Sequence, residues 1–159
     1  MELTVLDSAQ MQSLGKKIGQ QLRAGDYLVL TGQLGAGKTT FTQGIAIGLQ
    51  VAGSVTSPTF VVSRIHKSLV GGPELIHIDA YRLSHSDQLL DLDLEDHPNS
   101  VVVIEWGREF ITSLSDTWLD VEISRDSEFN EGDPAAGIRK VKISSIGPRW
   151  DELDLSGLT

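Results

Sequence analysis

A glycine-rich stretch at residues 32–39 constrains this chain more than any other part of its sequence. Its residues, Gly-Gln-Leu-Gly-Ala-Gly-Lys-Thr, match the phosphate-binding loop pattern at every fixed position. Glycine keeps side chains out of the way, so successive backbone N–H groups can curl around phosphate oxygens. Lys38 adds a cation for the β- and γ-phosphates, and the Thr39 hydroxyl is placed to hold Mg²⁺. The motif therefore predicts a nucleotide site.

The flanks of this loop predict the strand and the helix that such a site needs. Residues 27–30 are an apolar run of the length of a buried strand. After the loop, Phe41, Ile45 and Leu49 recur at helical spacing. The amino end of a helix supplies further N–H donors and the positive end of the helix dipole. We therefore predict strand, phosphate loop and helix in that order.

Two later segments that predict strands each end in a carboxylate. Residues 101–104 are four β-branched residues, typical of a strand buried on both faces, and Glu105 follows them directly. An acid at this place is in the Walker B position, where a carboxylate reaches the Mg²⁺ shell. Asp79 follows residues 74–78, at the strand end where α/β sheets bind ligands, although a surface acid beside Arg82 explains it as well. Glu105 is the candidate on the metal side.

Composition limits the class of function. The chain has 159 residues, a net charge of −9 and no cysteine, which excludes disulfides, thiolate metal sites and thiol nucleophiles. The acidic balance disfavours broad contact with nucleic acid, so RNA would be reached through a partner. The start lacks a signal-peptide pattern, and no apolar run approaches the ~20 residues of a membrane helix. We expect a soluble, cytoplasmic protein without membrane contact.

The remaining segments predict the organisation of one α/β domain spanning residues 1–159. We expect a first strand, followed by an amphipathic helix that is capped at residues 7–8 and ends near Gly25. We also expect two hairpins, the first pairing strand 61–66 with strand 74–79 and the second pairing strand 118–123 with strand 139–143. The acidic segment 84–96 predicts a helix followed by a loop, and the tail 147–159 is expected to fray. The fold class is a P-loop NTPase with a mostly parallel central sheet, extended by antiparallel strands and with helices on both faces.

Four motifs in this order resemble the TsaE family, the bacterial ATPases of tRNA threonylcarbamoyladenosine (t6A) biosynthesis. The motifs are Leu-Gly-Ala-Gly-Lys-Thr-Thr at 34–40, Ser-Pro-Thr-Phe at 57–60, His-Ile-Asp-Ala-Tyr-Arg-Leu at 77–83 and Ile-Glu-Trp at 104–106. The resemblance covers most of the chain. It implies ATP or ADP at the loop, Mg²⁺ held through Thr39 and Glu105, and Asp79 as a residue needed for hydrolysis. It also implies the partners TsaB and TsaD, with tRNA reached through them.

The motifs and the resemblance together give the candidate site residues. The candidate catalytic residues are Lys38, Asp79 and Glu105, and the metal candidates are Thr39 and Glu105. The candidate nucleotide-binding residues are Ser8, Leu34, Gly35, Ala36, Gly37, Lys38, Thr39, Thr40 and Arg139. Of these, Ser8 and Arg139 follow only from their position in the family, as candidates for adenine contacts.

Some assignments stay open at this level. Residues 57–60 are either a polar connection or carry a hydroxyl, at Thr59, that senses the γ-phosphate. No arginine is obviously placed as a cis arginine finger, and Arg64, Arg82 and Arg108 are the candidates. The alternative enzyme is a small P-loop kinase, although the chain lacks an arginine-rich lid. A GTP-driven switch is disfavoured because no Asn-Lys-x-Asp stretch is present.

Overall fold

Seven strands of the described chain join in one mixed sheet. The structure, a computed structural model, describes residues 1–56, 63–85, 87–125, 137–154 and 156. The strands are β1 (Glu2–Val5), β2 (Tyr27–Thr31), β3 (Ser63–His66), β4 (Glu74–Asp79), β5 (Ser100–Glu105), β6 (Trp118–Arg125) and β7 (Arg139–Ile146). The helices are α1 (Ser8–Gly19), α2 (Lys38–Leu49) and the short α3 (Asp87–Leu90), with 3₁₀ turns at Leu94–Asp96, Ile111–Ser113 and Pro148–Glu152.

The strand order is β1-β7-β6-β2-β5-β4-β3. The four central neighbours β6, β2, β5 and β4 run parallel, and the strands at both flanks are antiparallel to their neighbours. This confirms the predicted fold class. Because the carboxyl ends of parallel strands meet at one edge, the residues following β2, β4, β5 and β6 are brought together there.

Apolar side chains alternate between the two faces of the sheet and make a core on each. Leu28 and Leu30 of β2 face α1 and α2, while Val29 faces the opposite cluster. All six residues of β5 are buried, as its β-branched run predicts. The predicted helices do lie on both faces, but the two faces carry helices of different length. The 12-residue helices α1 and α2 share one face, and α3 with the 3₁₀ turn at Ile111–Ser113 covers the other.

Glycine allows α1 and α2 to pack backbone to backbone. A Cβ at Gly44 of α2 would clash with the carbonyl oxygen of Gln12, and one at Gly15 of α1 would clash with that of Phe41. Residues later in α1 contact residues later in α2, so the two helices run parallel. The amino end of α1 consequently lies beside the phosphate loop at the amino end of α2.

Two segments differ in detail from the sequence predictions. Helix α1 ends at Gly19, before the predicted stop at Gly25, yet Leu22 remains buried beyond its end. The helix in the acidic segment is only the four residues of α3. In the tail, Trp150 is buried and Arg149 pairs with Asp26. Among the described residues, no helix is long and apolar enough to cross a membrane.

Candidate functional site

The predicted phosphate loop connects the end of β2 to the start of α2. Its backbone turns through Gly35 and Gly37, whose φ angles of +74° and +115° lie in the left-handed region that glycine adopts without strain. The N–H of Ala36 donates to the carbonyl of Gln33 at 2.9 Å and closes the turn. The loop therefore ends on the first-turn amides of α2, which have no acceptor within the helix, and this is the arrangement that the sequence predicts.

Lys38 is buried at the floor of this loop. Its Nζ donates to the carbonyl oxygens of Gly32 at 2.6 Å and Gln33 at 3.2 Å, and it lies 4.9 Å from the centre of the Trp106 ring. Burial lowers the pKa of Lys38, while the negative charges of Glu105 and Asp79 oppose that shift. The ammonium group thus lies within the electrostatic reach of both candidate carboxylates.

Asp79 and Glu105 are paired across neighbouring parallel strands. Each is the last residue of its strand, and they are direct register partners at the carboxyl edge of the sheet. Glu105 is buried, whereas Asp79 is half-buried and one of its oxygens, Oδ1, accepts a hydrogen bond from the N–H of Tyr81 at 3.0 Å. The structure therefore brings together the three candidate catalytic residues Lys38, Asp79 and Glu105.

His77 was not among the sequence candidates, although it contacts Glu105 directly. Its Nε2 lies 3.2 Å from Oε1 of Glu105, and its side chain is fully buried. Since an ionised carboxylate only accepts hydrogen bonds, we assign the proton of the His77 ring to Nε2. The sequence signal was its spacing of two residues from Asp79, which places both side chains on the same face of β4.

The donor set at this edge fits Mg²⁺ bound together with phosphates. In the described parts of the chain, no group of three or more His, Cys, Asp or Glu side chains could hold a metal ion alone. Mg²⁺ is commonly held by only one or two carboxylates and completes its shell with phosphate oxygens and water. The Thr39 hydroxyl in the first turn of α2 and the Glu105 carboxylate are ligands of this kind.

An aromatic pair borders the site. Trp106 follows Glu105 with a φ of +61°, and its N–H donates to the carbonyl of Leu30 at 2.8 Å. Its ring centre lies 5.4 Å from that of Tyr81. Tyr81 is 70% exposed, and Leu34 at the tip of the phosphate loop is 92% exposed. The mouth of the site therefore presents apolar surface.

The two candidates for adenine contacts lie on the same side of the loop. The Nε of Arg139 donates to the carbonyl of Ala36 at 3.1 Å. Ser8 is the first residue of α1, after the Asp7 cap, and Met11 one turn later packs against Gly37. The structure thus places Arg139 on the loop itself and Ser8 near it, and their nucleotide contacts remain predictions.

The arginines named as finger candidates do not contact the loop in the described parts of the chain. Arg108 binds both oxygens of Asp120 at 2.9 Å and also Glu122, and these hydrogen bonds raise its pKa. Arg64 and Arg82 are exposed. Arg125 at the end of β6, which was not among the sequence candidates, does reach the loop. Thr59 lies outside the described residues.

Comparisons with known proteins agree on one family. The family model described as threonylcarbamoyl adenosine biosynthesis protein TsaE matches residues 5–132. A TsaE protein of Streptomyces coelicolor is 47% identical over 93% of this chain and 99% of its own length. A TsaE protein of Bacillus subtilis is 33% identical over 91% and 85%. The crystal structure of Bacillus subtilis YdiB superposes with a TM-score of 0.74 at 28% identity, covering 95% of this chain and 88% of that one.

Proposed function

This chain belongs to the TsaE family of threonylcarbamoyl adenosine biosynthesis proteins, and from this premise we propose that it is an Mg²⁺-dependent ATPase supporting t6A formation in tRNA. One observation carries the proposal. The buried ammonium group of Lys38 lies in the phosphate loop, within the field of Asp79 and Glu105 at the ends of two adjacent parallel strands. A cation in an amide-lined loop, opposed by two carboxylates, suits the binding and hydrolysis of a metal–triphosphate.

The phosphate loop and Lys38 would bind the β- and γ-phosphates. The backbone N–H groups of Gly35, Gly37, Lys38 and Thr39, at the amino end of α2, would donate to phosphate oxygens, while that of Ala36 closes the turn. The amine of Lys38 now donates to the carbonyls of Gly32 and Gln33. On binding, it would exchange these neutral acceptors for charged phosphate oxygens, which form stronger hydrogen bonds.

Thr39 and Glu105 would hold the metal ion. When bound, Mg²⁺ neutralises charge on the phosphate oxygens and so assists phosphoryl transfer. The hydrogen bond from His77 fixes the orientation of the buried Glu105 carboxylate before any ligand arrives. The protein thus supplies a carboxylate that does not need to reorganise.

Asp79 would orient the attacking water and accept its proton. A new bond would form between the water oxygen and the γ-phosphorus while the bond from that phosphorus to the β–γ bridging oxygen breaks, which yields ADP and phosphate. Half-buried at the strand end, Asp79 is accessible to water from the site. Its Oδ1 is fixed by the N–H of Tyr81, so the carboxylate is already oriented.

We further propose that turnover is coupled to the TsaB–TsaD complex. The support is the family membership together with the exposed Leu34 and Tyr81, which leave apolar surface at the mouth of the site. The net charge of −9 favours a protein surface over direct contact with tRNA. Partner binding there would cover the nucleotide and shield the site from bulk solvent, while the attacking water stays bound at Asp79.

The test is phosphate release from Mg-ATP by the protein alone, and then with TsaB, TsaD and tRNA added. We expect stimulation by the partners and its loss in Lys38→Ala and Glu105→Ala, while Lys142→Ala on the exposed side of β7 behaves as the parent protein. Phosphate appearing on an acceptor molecule would instead support the kinase alternative. ATP binding without stimulation would leave the nucleotide site supported and contradict the coupling.

A further inference from the structure

Arg125 reaches the phosphate loop from a strand that is distant in sequence. Strand β6 pairs in parallel with β2, with Glu122 opposite Thr31, the last residue before the loop. Arg125 lies three residues further along β6, about 10 Å at the rise of a strand. The parallel pairing therefore carries Arg125 past the end of β2 and alongside the loop.

The guanidinium group of Arg125 is packed on the loop backbone but is incompletely hydrogen-bonded. Its Nη2 lies 3.4 Å from the carbonyl oxygen of Leu34 and 3.3 Å from that of Gly35, which are long contacts. A Cβ at Gly35 would lie 2.5 Å from Nη2, so the glycine makes room for this side chain. The Nε is buried and has no hydrogen-bond partner within the described chain. A group with five donors is thus held on the loop by two long hydrogen bonds.

A second arginine lies directly beside it. Arg139 is the register partner of Arg125 on β7, and like charges in this relation are destabilising. Burial, and the charge of Arg125, lower the pKa of Arg139. Both guanidinium groups contact carbonyls of consecutive loop residues. Two cations directed at an anion-binding loop are an arrangement that an anionic ligand would stabilise.

The two arginines differ in how firmly they are held. Arg139 is buried, its Nε donates to Ala36 at 3.1 Å and its Nη1 donates to Gly137 at 2.6 Å. Arg125 is half-buried, and within the part of the chain that the structure describes it is held on the loop by the two long contacts given above. Arg139 therefore supports the loop, whereas Arg125 can exchange its weak carbonyl contacts for a stronger acceptor.

We propose that Arg125 is a cis-acting arginine that contacts the γ-phosphate of the bound nucleotide and stabilises the charge that develops on it during hydrolysis. This inference rests on the proposed function. Arg125 supplies hydrogen bonds and positive charge only. The bond from the water oxygen to phosphorus forms, the bond to the β–γ bridging oxygen breaks, and the proton of the water goes to Asp79 as above. Arg125 would thus fill the role of cis arginine finger, for which Arg64, Arg82 and Arg108 were the sequence candidates.

The test compares Arg125→Ala and Arg125→Lys with the parent protein and with Arg23→Ala, which removes an exposed arginine paired to Glu152. Thermal unfolding first establishes that each variant is folded. Calorimetry then gives the affinities for Mg-ADP and for ADP with fluoroaluminate, which mimics the transferring phosphoryl group. Single-turnover hydrolysis of Mg-ATP gives the rate of the chemical step.

For Arg125→Ala we expect affinity for Mg-ADP within about threefold of the parent, because the contact is to the γ-position. Affinity for the fluoroaluminate complex and the single-turnover rate should each fall by at least about tenfold, with partial recovery in Arg125→Lys. An unchanged rate, or equal losses with Mg-ADP and with the fluoroaluminate complex, would overturn the role of Arg125 and leave the ATPase proposal intact. Failure of the parent protein to bind ATP would contradict the proposed function itself.

Discussion

The Nε2 of His77 lies 3.2 Å from Oε1 of Glu105, and both side chains are buried beneath the carboxyl edge of the sheet. The two residues are diagonal neighbours on β4 and β5, because His77 pairs with Val103 and Asp79 pairs with Glu105. A buried carboxylate held by one hydrogen bond has a fixed orientation. His77 is therefore a positioning residue for the proposed metal ligand.

Replacing His77 by Leu should weaken the Mg²⁺ dependence of nucleotide binding. Loss of such a supporting hydrogen bond typically costs about 10- to 100-fold in metal affinity, because the carboxylate is left buried and unoriented. His77→Gln, which retains a donor at its end, should lose less. The measurement is a Mg²⁺ titration of nucleotide binding, with His85→Ala at an exposed position as the control. The same Mg²⁺ midpoint in all three variants would contradict the positioning role.

Replacing Lys38 by Ala should remove most of the affinity for Mg-ADP and Mg-ATP. A hydrogen bond to a charged group contributes about 1.5–3 kcal/mol, which corresponds to roughly 10- to 100-fold in Kd. Calorimetry of Lys38→Ala against the exposed control Lys142→Ala measures this directly. If both variants bind nucleotide as the parent does, Lys38 is not the phosphate ligand and its contacts to Gly32 and Gln33 are only structural.

Local patterns predicted the loop, its flanking strand and helix, and the acids at the ends of β4 and β5. These features depend on short-range rules: glycine in the turn, β-branched residues in the buried strand β5, and one carboxylate at the end of each predicted strand. The place of Arg125 could not be predicted in this way. The alternation in β6 predicts a half-exposed strand, but only its parallel pairing with β2 brings Arg125 to the loop.

The dependence on strand pairing also explains why sequence patterns could not select among Arg64, Arg82 and Arg108. Arg108 was one of the three candidates for a cis arginine finger. Its guanidinium group is instead bound by Asp120 and Glu122, two residues of β6 that share one face at a spacing of two. Arg108 lies in the turn after β5, 12 and 14 residues before Asp120 and Glu122, and their contact depends on sheet order, which sequence periodicity does not specify.

Replacing Gly44 by Ala should destabilise the fold through the contact between α1 and α2. The new Cβ would clash with the carbonyl oxygen of Gln12, and two rigid helix backbones cannot separate without disturbing the core around them. Such overpacking costs about 1–3 kcal/mol of unfolding free energy. Urea denaturation measures the loss. The control is Gly72→Ala, where the nearest atom would lie 3.7 Å away, and we expect a change of no more than about 0.5 kcal/mol. Equal stability in the two variants would contradict the close packing.

Replacing Asp26 by Ala should destabilise the protein more than breaking an exposed ion pair. Asp26 is buried and accepts both a 2.8 Å bond from Nε and a 2.7 Å bond from Nη2 of Arg149, which fixes the tail to the residue that precedes β2. The substitution leaves the half-buried guanidinium group of Arg149 and the N–H of Arg23 without their acceptor, which costs about 1–3 kcal/mol. In the control Arg23→Gln, only the exposed pair with Glu152 is lost, with an expected cost of about 0–1 kcal/mol. Urea denaturation of both variants measures the two losses of unfolding free energy. If the loss for Asp26→Ala is no larger than that for Arg23→Gln, Arg149 does not hold the tail to the domain.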